Sequence, residues 1–272
     1  MLFKRESVLL PDGHAVIIDC YCPDVVKEID ADVQRPAVVI CGGGAYRFVS
    51  PRETEPVALD FAAQGYNAFV VWYRVAPNRF PKPQWDAAAA VAFVRQHAEA
   101  LHTHPHHIAL LGFSAGGHCA ASVGTLWNTP DVWQGSGLAP QDIRSDALVL
   151  CYPVITAGTE AHRESFVNLT GTEDTAVQAQ YSLEEKVSAD TPPTFLWHTW
   201  ADESVPVANS LLFASALSRF RVPAEVHLFP RGRHGSSLCR EETSGFQTWL
   251  NLPECAEWPV YARRFLEALW AT

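Results

Sequence analysis

The segment running from His107 to His118 constrains the fold more than any other. An apolar run, Ile108-Ala109-Leu110-Leu111, leads straight into Gly112-Phe113-Ser114-Ala115-Gly116 and then into Ala-rich sequence suited to a helix. Gly-x-Ser-x-Gly between a strand and a helix predicts a sharp turn with the serine at its tip. The tip residue must accept a strained backbone, and any Cβ at Gly112 or Gly116 would collide with the neighbouring strand and helix. Such a turn exposes the Ser114 Oγ at a helix N-terminus. There the Ala115 amide points outward and the macrodipole favours developing negative charge.

The rest of the chain fits a sheet around this turn. Pro11-Asp12-Gly13 predicts a turn between strands at 7–10 and 15–20. Short apolar runs at 36–41, 68–73, 147–152, 194–198 and 225–229 suit strands, several covered on both faces, while 52–64 and 85–101 read as helices. Strands alternating with helices predict an α/β fold: one domain over 1–272, with a mostly parallel central sheet and helices on both faces. Ligands in such sheets bind at the carboxyl ends of the strands. The polar stretch at about 156–191 lies between two strands and is expected to form a small lid, an ordinary solvated connection being the alternative.

Composition narrows the partners. Twenty basic and thirty acidic residues give a formal net charge of −10, which argues against nucleic acid and anionic membrane surfaces. No apolar stretch approaches the roughly 18–20 residues of a membrane span, and Met1 to Ser7 carries no run of signal-peptide length, so a cytoplasmic protein is expected. Seven scattered cysteines without a C-x-x-C pair indicate neither a disulfide framework nor a zinc site. Cys20 and Cys22 read as buried apolar filler. The His-rich stretch 101–107 is interrupted by Pro105 and reads as a solvated connection, so no metal is expected. The oligomeric state is left open, a homodimer included.

A serine hydroxyl needs a histidine to take its proton and a carboxylate to orient the imidazole. In this kind of sheet they follow in the order serine, acid, histidine. Asp202 follows the strand 194–198, with Glu203 as fallback, and His234 follows the last strand inside Gly232-Arg233-His234-Gly235. Taken singly, Asp202 is equally a helix cap and His234 a surface loop residue; together, each after its own strand, they make a triad with Ser114. His198, on its strand, and His118, one helical turn past Ser114, read as packing residues. Gly42-Gly43-Gly44-Ala45-Tyr46 follows the strand 36–41 and brings backbone N–H groups to an oxyanion. No Gly-Lys-Ser/Thr follows, so it does not read as a phosphate loop.

These residues, together with Tyr73-Arg74-Val75-Ala76-Pro77 and Asp202-Glu203-Ser204-Val205-Pro206, resemble the α/β-hydrolase acetyl esterase and lipase family related to hormone-sensitive lipase. The similarity is greatest to small bacterial carbohydrate acetylesterases and xylanase-associated esterases. The resemblance implies hydrolysis of short-chain esters, acetylated sugars among them, through an acyl-serine and with no cofactor. Gly42 stands where that family has Pro or His, and Ala45 replaces a glycine. With that departure, the oxyanion donors are assigned to the amides of Gly43, Gly44 and Ala115, and Tyr46 and Trp200 are candidates to stack on a sugar, aromatic core packing being the commoner alternative. A small-molecule ester is the expected partner. A peptidase of the same fold and a catalytically silent binding module are the competing readings.

Overall fold

Eight strands build one sheet in a computed structural model that describes residues 1–271. They are β1 (Leu2–Leu9), β2 (Ala15–Cys22), β3 (Arg35–Cys41), β4 (Asn67–Trp72), β5 (Thr103–Phe113), β6 (Ala147–Cys151), β7 (Thr194–Thr199) and β8 (Ala224–Phe229). Their spatial order is β1-β2-β4-β3-β5-β6-β7-β8. The first two pairings, β1 with β2 and β2 with β4, are antiparallel and all later ones parallel. This is the α/β-hydrolase architecture.

The apolar runs are continuous because each central strand serves two cores. Side chains alternate across a strand, so Phe69 and Val71 of β4, with Ile108 and Leu110 of β5, enter one core. Ala68 and Val70, with Ala109 and Leu111, enter the other. Helices α2 (Lys82–Gln96) and α3 (Ser114–Leu126) and the helix Ala208–Arg219 cover the first face. Helix α1 (Glu55–Ala63) and the helix Trp258–Trp270 cover the second.

Two local expectations are corrected. Helix α2 starts at Lys82 rather than Trp85, because Pro83 lies in its first turn, where a missing N–H costs no intrahelical bond. The stretch expected to be a loose connection is the start of β5: Thr103 pairs with Arg35, and its hydroxyl accepts from Asn67 Nδ2 at 2.7 Å. The His104 ring stacks on His107 at 3.6 Å, and His107 on Trp270 at 5.0 Å. Among the described residues there is no cluster of three side chains suited to a metal, and no helix is long and apolar enough to cross a membrane.

Candidate active site

The turn after β5 is built as tightly as its glycines suggest. A Cβ on Gly112 would lie 2.2 Å from the Gly116 carbonyl oxygen, and one on Gly116 2.2 Å from that of Cys41. Ser114 sits at the tip with φ +53°, in the left-handed region that a non-glycine residue enters at a cost. It is the first residue of α3, whose opening amides have no intrahelical acceptor.

His234, 120 residues further on, comes within 2.7 Å of the Ser114 Oγ through Nε2. Its Nδ1–H donates to Asp202 Oδ2 at 2.6 Å. Asp202 divides its oxygens between two tasks. Oδ1 accepts the amides of Ser204 and Val205, each at 2.9 Å, leaving Oδ2 for His234. Asp202 caps no helix, since the helix Ala208–Arg219 is entered at Val207; its Oδ1 instead closes a local turn onto the Ser204 and Val205 amides. Burial opposes its charge, but the hydrogen bonds from His198 and His234 outweigh burial and hold Asp202 well below the usual carboxylate range. Glu203 is exposed and makes none of these contacts. His198, read from sequence as packing, is buried against the acid: its Nε2 faces Asp202 Oδ2 at 3.3 Å and the Val205 carbonyl at 3.0 Å, and Nδ1 faces Ser210 Oγ at 2.6 Å.

Peptide planarity sets which way the amides of the glycine loop point. The Gly43 carbonyl accepts from the Ser50 amide at 2.9 Å, and the Gly44 carbonyl from Arg47 at 2.9 Å. Each trans peptide therefore turns its N–H, on Gly44 and Ala45 respectively, the opposite way. Neither amide has an acceptor among the described residues. Both residues line a cavity of about 250 Å³ that also holds Ser114 and His234. The assignment of Gly43 as a donor is corrected: its amide already donates to Glu53 Oε2 at 2.8 Å. Ala45, with φ +55°, lines the cavity beside Gly44 with its amide unengaged.

Both aromatic assignments are corrected as well. Tyr46 is 1% exposed and lies outside the cavity, its hydroxyl bonded to His118 Nδ1 at 2.9 Å and Gln84 Nε2 at 3.2 Å. The left-handed backbone at Ala45 and Tyr46 carries the ring into the core between Tyr73 and His118. Trp200 is 59% exposed and does not line the cavity. An aromatic residue near a strand end carries no signal that separates stacking from packing. The cavity wall contains residues sequence reasoning did not select: Arg47, Arg52 and Glu53 near the glycine loop, and His162 and Glu164 from the segment between β6 and β7. Arg47 pairs with Glu164 at 3.1 Å. Burial, then nearby His234, lowers the pKa of His162. Glu53, inside the stretch 52–64 expected to be helical, lies in a short 3-10 turn just before α1 and is buried.

His118 lines a separate cleft of about 810 Å³ that contains neither Ser114 nor His234. Its Nε2–H donates to the Tyr181 carbonyl at 2.9 Å and its Nδ1 accepts from Tyr46. Burial lowers its pKa from 6.5 to about 4, partly opposed by the Tyr181 carbonyl. Between those values the unfolded chain binds a proton that the folded chain refuses, so stability falls as pH drops through this window. The span of 6.5 to about 4 corresponds to about 3 kcal/mol. Urea unfolding at pH 7.5 and 4.5 is expected to show a smaller loss in His118→Gln than in wild type; an identical loss in both proteins overturns this account.

Residues 18–217 match the family described as BD-FAE, and the chain belongs to it. It is 35% identical over 221 residues to endo-1,4-beta-xylanase B of Butyrivibrio fibrisolvens, covering 78% of this chain and 34% of that protein. Identity to an acetylxylan esterase of Xylanibacter ruminicola is 28% over 253 residues, 90% of this chain and 47% of the relative. The chain thus spans between a third and a half of these two relatives. Among solved structures, the acetyl ester-xyloside bifunctional hydrolase of Caldicellulosiruptor lactoaceticus superposes with a TM-score of 0.75 at 38% identity, covering 93% of this chain and 89% of that one.

Proposed function

We propose that this protein is a serine carboxylesterase that removes short acyl groups, acetyl foremost, from small esters such as acetylated sugars. The observation that carries the reading is the continuous hydrogen-bond chain from Ser114 Oγ through His234 to Asp202, opening on a cavity of about 250 Å³. His234 Nε2 takes the hydroxyl proton as Oγ attacks the ester carbonyl. The amides of Gly44, Ala45 and Ala115 receive the oxyanion. Collapse breaks the bond to the alcohol, which leaves with the proton from His234, and water repeats the sequence on the acyl-serine. Every transfer runs between substrate, water and groups of this chain.

The small, polar-rimmed cavity supports a short acyl chain and a hydroxylated leaving group, as do the names of the acetylxylan esterase and acetyl ester-xyloside hydrolase relatives. We read the chain as one catalytic domain in which 156–191 serves as the small lid, supported by His162 and Glu164 in the cavity wall. Seven unpaired, buried cysteines support residence in the cytoplasm. With p-nitrophenyl acetate, butyrate and octanoate, kcat/KM for acetate is expected to exceed that for octanoate by about 10-fold or more. Acetylated xylo-oligosaccharide is expected to be deacetylated. Preference for octanoate, or no turnover of any ester, overturns the reading.

A further inference from the structure

Glu53 is 3% exposed in the wall of the active-site cavity, and its carboxylate meets no Lys or Arg side chain among the described residues. An unpaired carboxylate is costly to bury unless hydrogen bonds replace its lost water. Here two do. Oε2 accepts the Gly43 amide at 2.8 Å and Oε1 the Tyr152 hydroxyl at 2.6 Å. Those bonds reach two different parts of the site. The Gly43 amide opens the donor loop, and a Cβ on Gly43 would lie 3.0 Å from that of Ser114. Tyr152 follows β6; its hydroxyl oxygen accepts the Ser237 amide at 2.8 Å, three residues past His234. The Tyr152 ring stands edge-on to the His234 imidazole at 5.0 Å. Ser237 Oγ then donates to the Arg52 carbonyl at 2.7 Å, closing the circuit beside Glu53.

The geometry points to Glu53 as a positioning residue for acyl transfer, holding the oxyanion loop directly and the His234 loop through Tyr152, an inference that rests on the esterase reading above. The Gly42 carbonyl is held by the Tyr73 hydroxyl at 2.5 Å, so the peptide between Gly42 and Gly43 is fixed at both its polar atoms. That peptide sets the direction from which the Gly44 and Ala45 amides depart. Loss of the carboxylate frees the Gly43 N–H to turn and leaves Tyr152 without its acceptor. The oxyanion donors and the base then lose their common reference, while His162 and Glu164, which line the same cavity from another segment, are untouched.

The test compares wild type, Glu53→Gln and Tyr152→Phe on p-nitrophenyl acetate, with melting temperature and the affinity of a small alkylboronic acid, which mimics the tetrahedral adduct. Tyr152→Phe keeps the ring against His234 and deletes only the hydroxyl, so it decides the matter even where Glu53→Gln does not fold. The expected result is a kcat about 10- to 100-fold lower in each folded variant with KM within about 3-fold, and boronate affinity weakened in parallel with kcat/KM. A purely structural contact predicts a lower melting temperature with kcat intact. Folded variants that keep kcat within about 2-fold, or that raise KM alone, overturn the proposal while an active wild type leaves the esterase reading standing. A wild type inactive on every ester overturns the reading and the proposal together.

Discussion

Ser114→Ala is expected to lower kcat on p-nitrophenyl acetate by about 10⁴- to 10⁶-fold, with the melting temperature little changed. The substitution deletes only the Oγ that lies 2.7 Å from His234 Nε2. The backbone at this position has φ +53°, and alanine tolerates it no worse than serine does. The donor amides, the acid and the base all remain, so residual rate above that of water measures what the oxyanion loop contributes alone. Mass spectrometry after a fluorophosphonate label provides a second check: wild type gains one adduct on Ser114 and the variant none. Turnover within about 10-fold of wild type sinks the acyl-serine mechanism and returns attention to the peptidase and silent-receptor readings.

Asp202→Asn has the second-largest expected effect, and the structure specifies why. The oxygen at the Oδ1 position must go on accepting two backbone amides, from Ser204 and Val205. The asparagine NH2 is therefore forced to the Oδ2 position, facing His234 Nδ1. A donor there stabilises the tautomer protonated on Nε2, which cannot take a proton from Ser114. A loss of about 10⁴-fold in kcat with a near-native fold is expected. Glu203→Gln, the neighbouring control, is expected to stay within about 2-fold of wild type because the exposed Glu203 touches none of these atoms. A large loss in Glu203→Gln with Asp202→Asn close to wild type would move the acid to Glu203.

The parts legible from sequence are those governed by local sterics or by chain order. The turn at Ser114 was visible because two glycines two residues either side of a serine, between a strand and a helix, leave few alternatives. Asp202 and His234 stand out by following successive strands, and the structure brings His234 to Ser114 and Asp202 to His234. What escaped depends on partners distant in the chain. A glycine run marks a loop of exposed amides, but which of them stay unengaged is decided by Glu53, Ser50 and Arg47, which seize particular peptide atoms. Tyr46 could face the cavity or the core until the backbone at Ala45 turned it inward. His198 sits on an apolar strand like any packing residue, and only the fold reveals Asp202 against it. His162 and Glu164 come from the segment expected to form the lid, but nothing in its polar sequence singles out those two residues.

That same segment carries Asn168, whose Nδ2 donates to the Ala45 carbonyl at 2.9 Å. The peptide so gripped adjoins the one whose N–H belongs to Ala45. One segment of the cavity wall is therefore fastened to the glycine loop, which is distant from it in sequence. On the esterase reading proposed above, recognition and turnover are expected not to be separable in this chain. A graft replacing 156–191 to broaden the range of esters would change kcat for every substrate, the favoured one included, unless the graft kept an amide donor where Asn168 now stands.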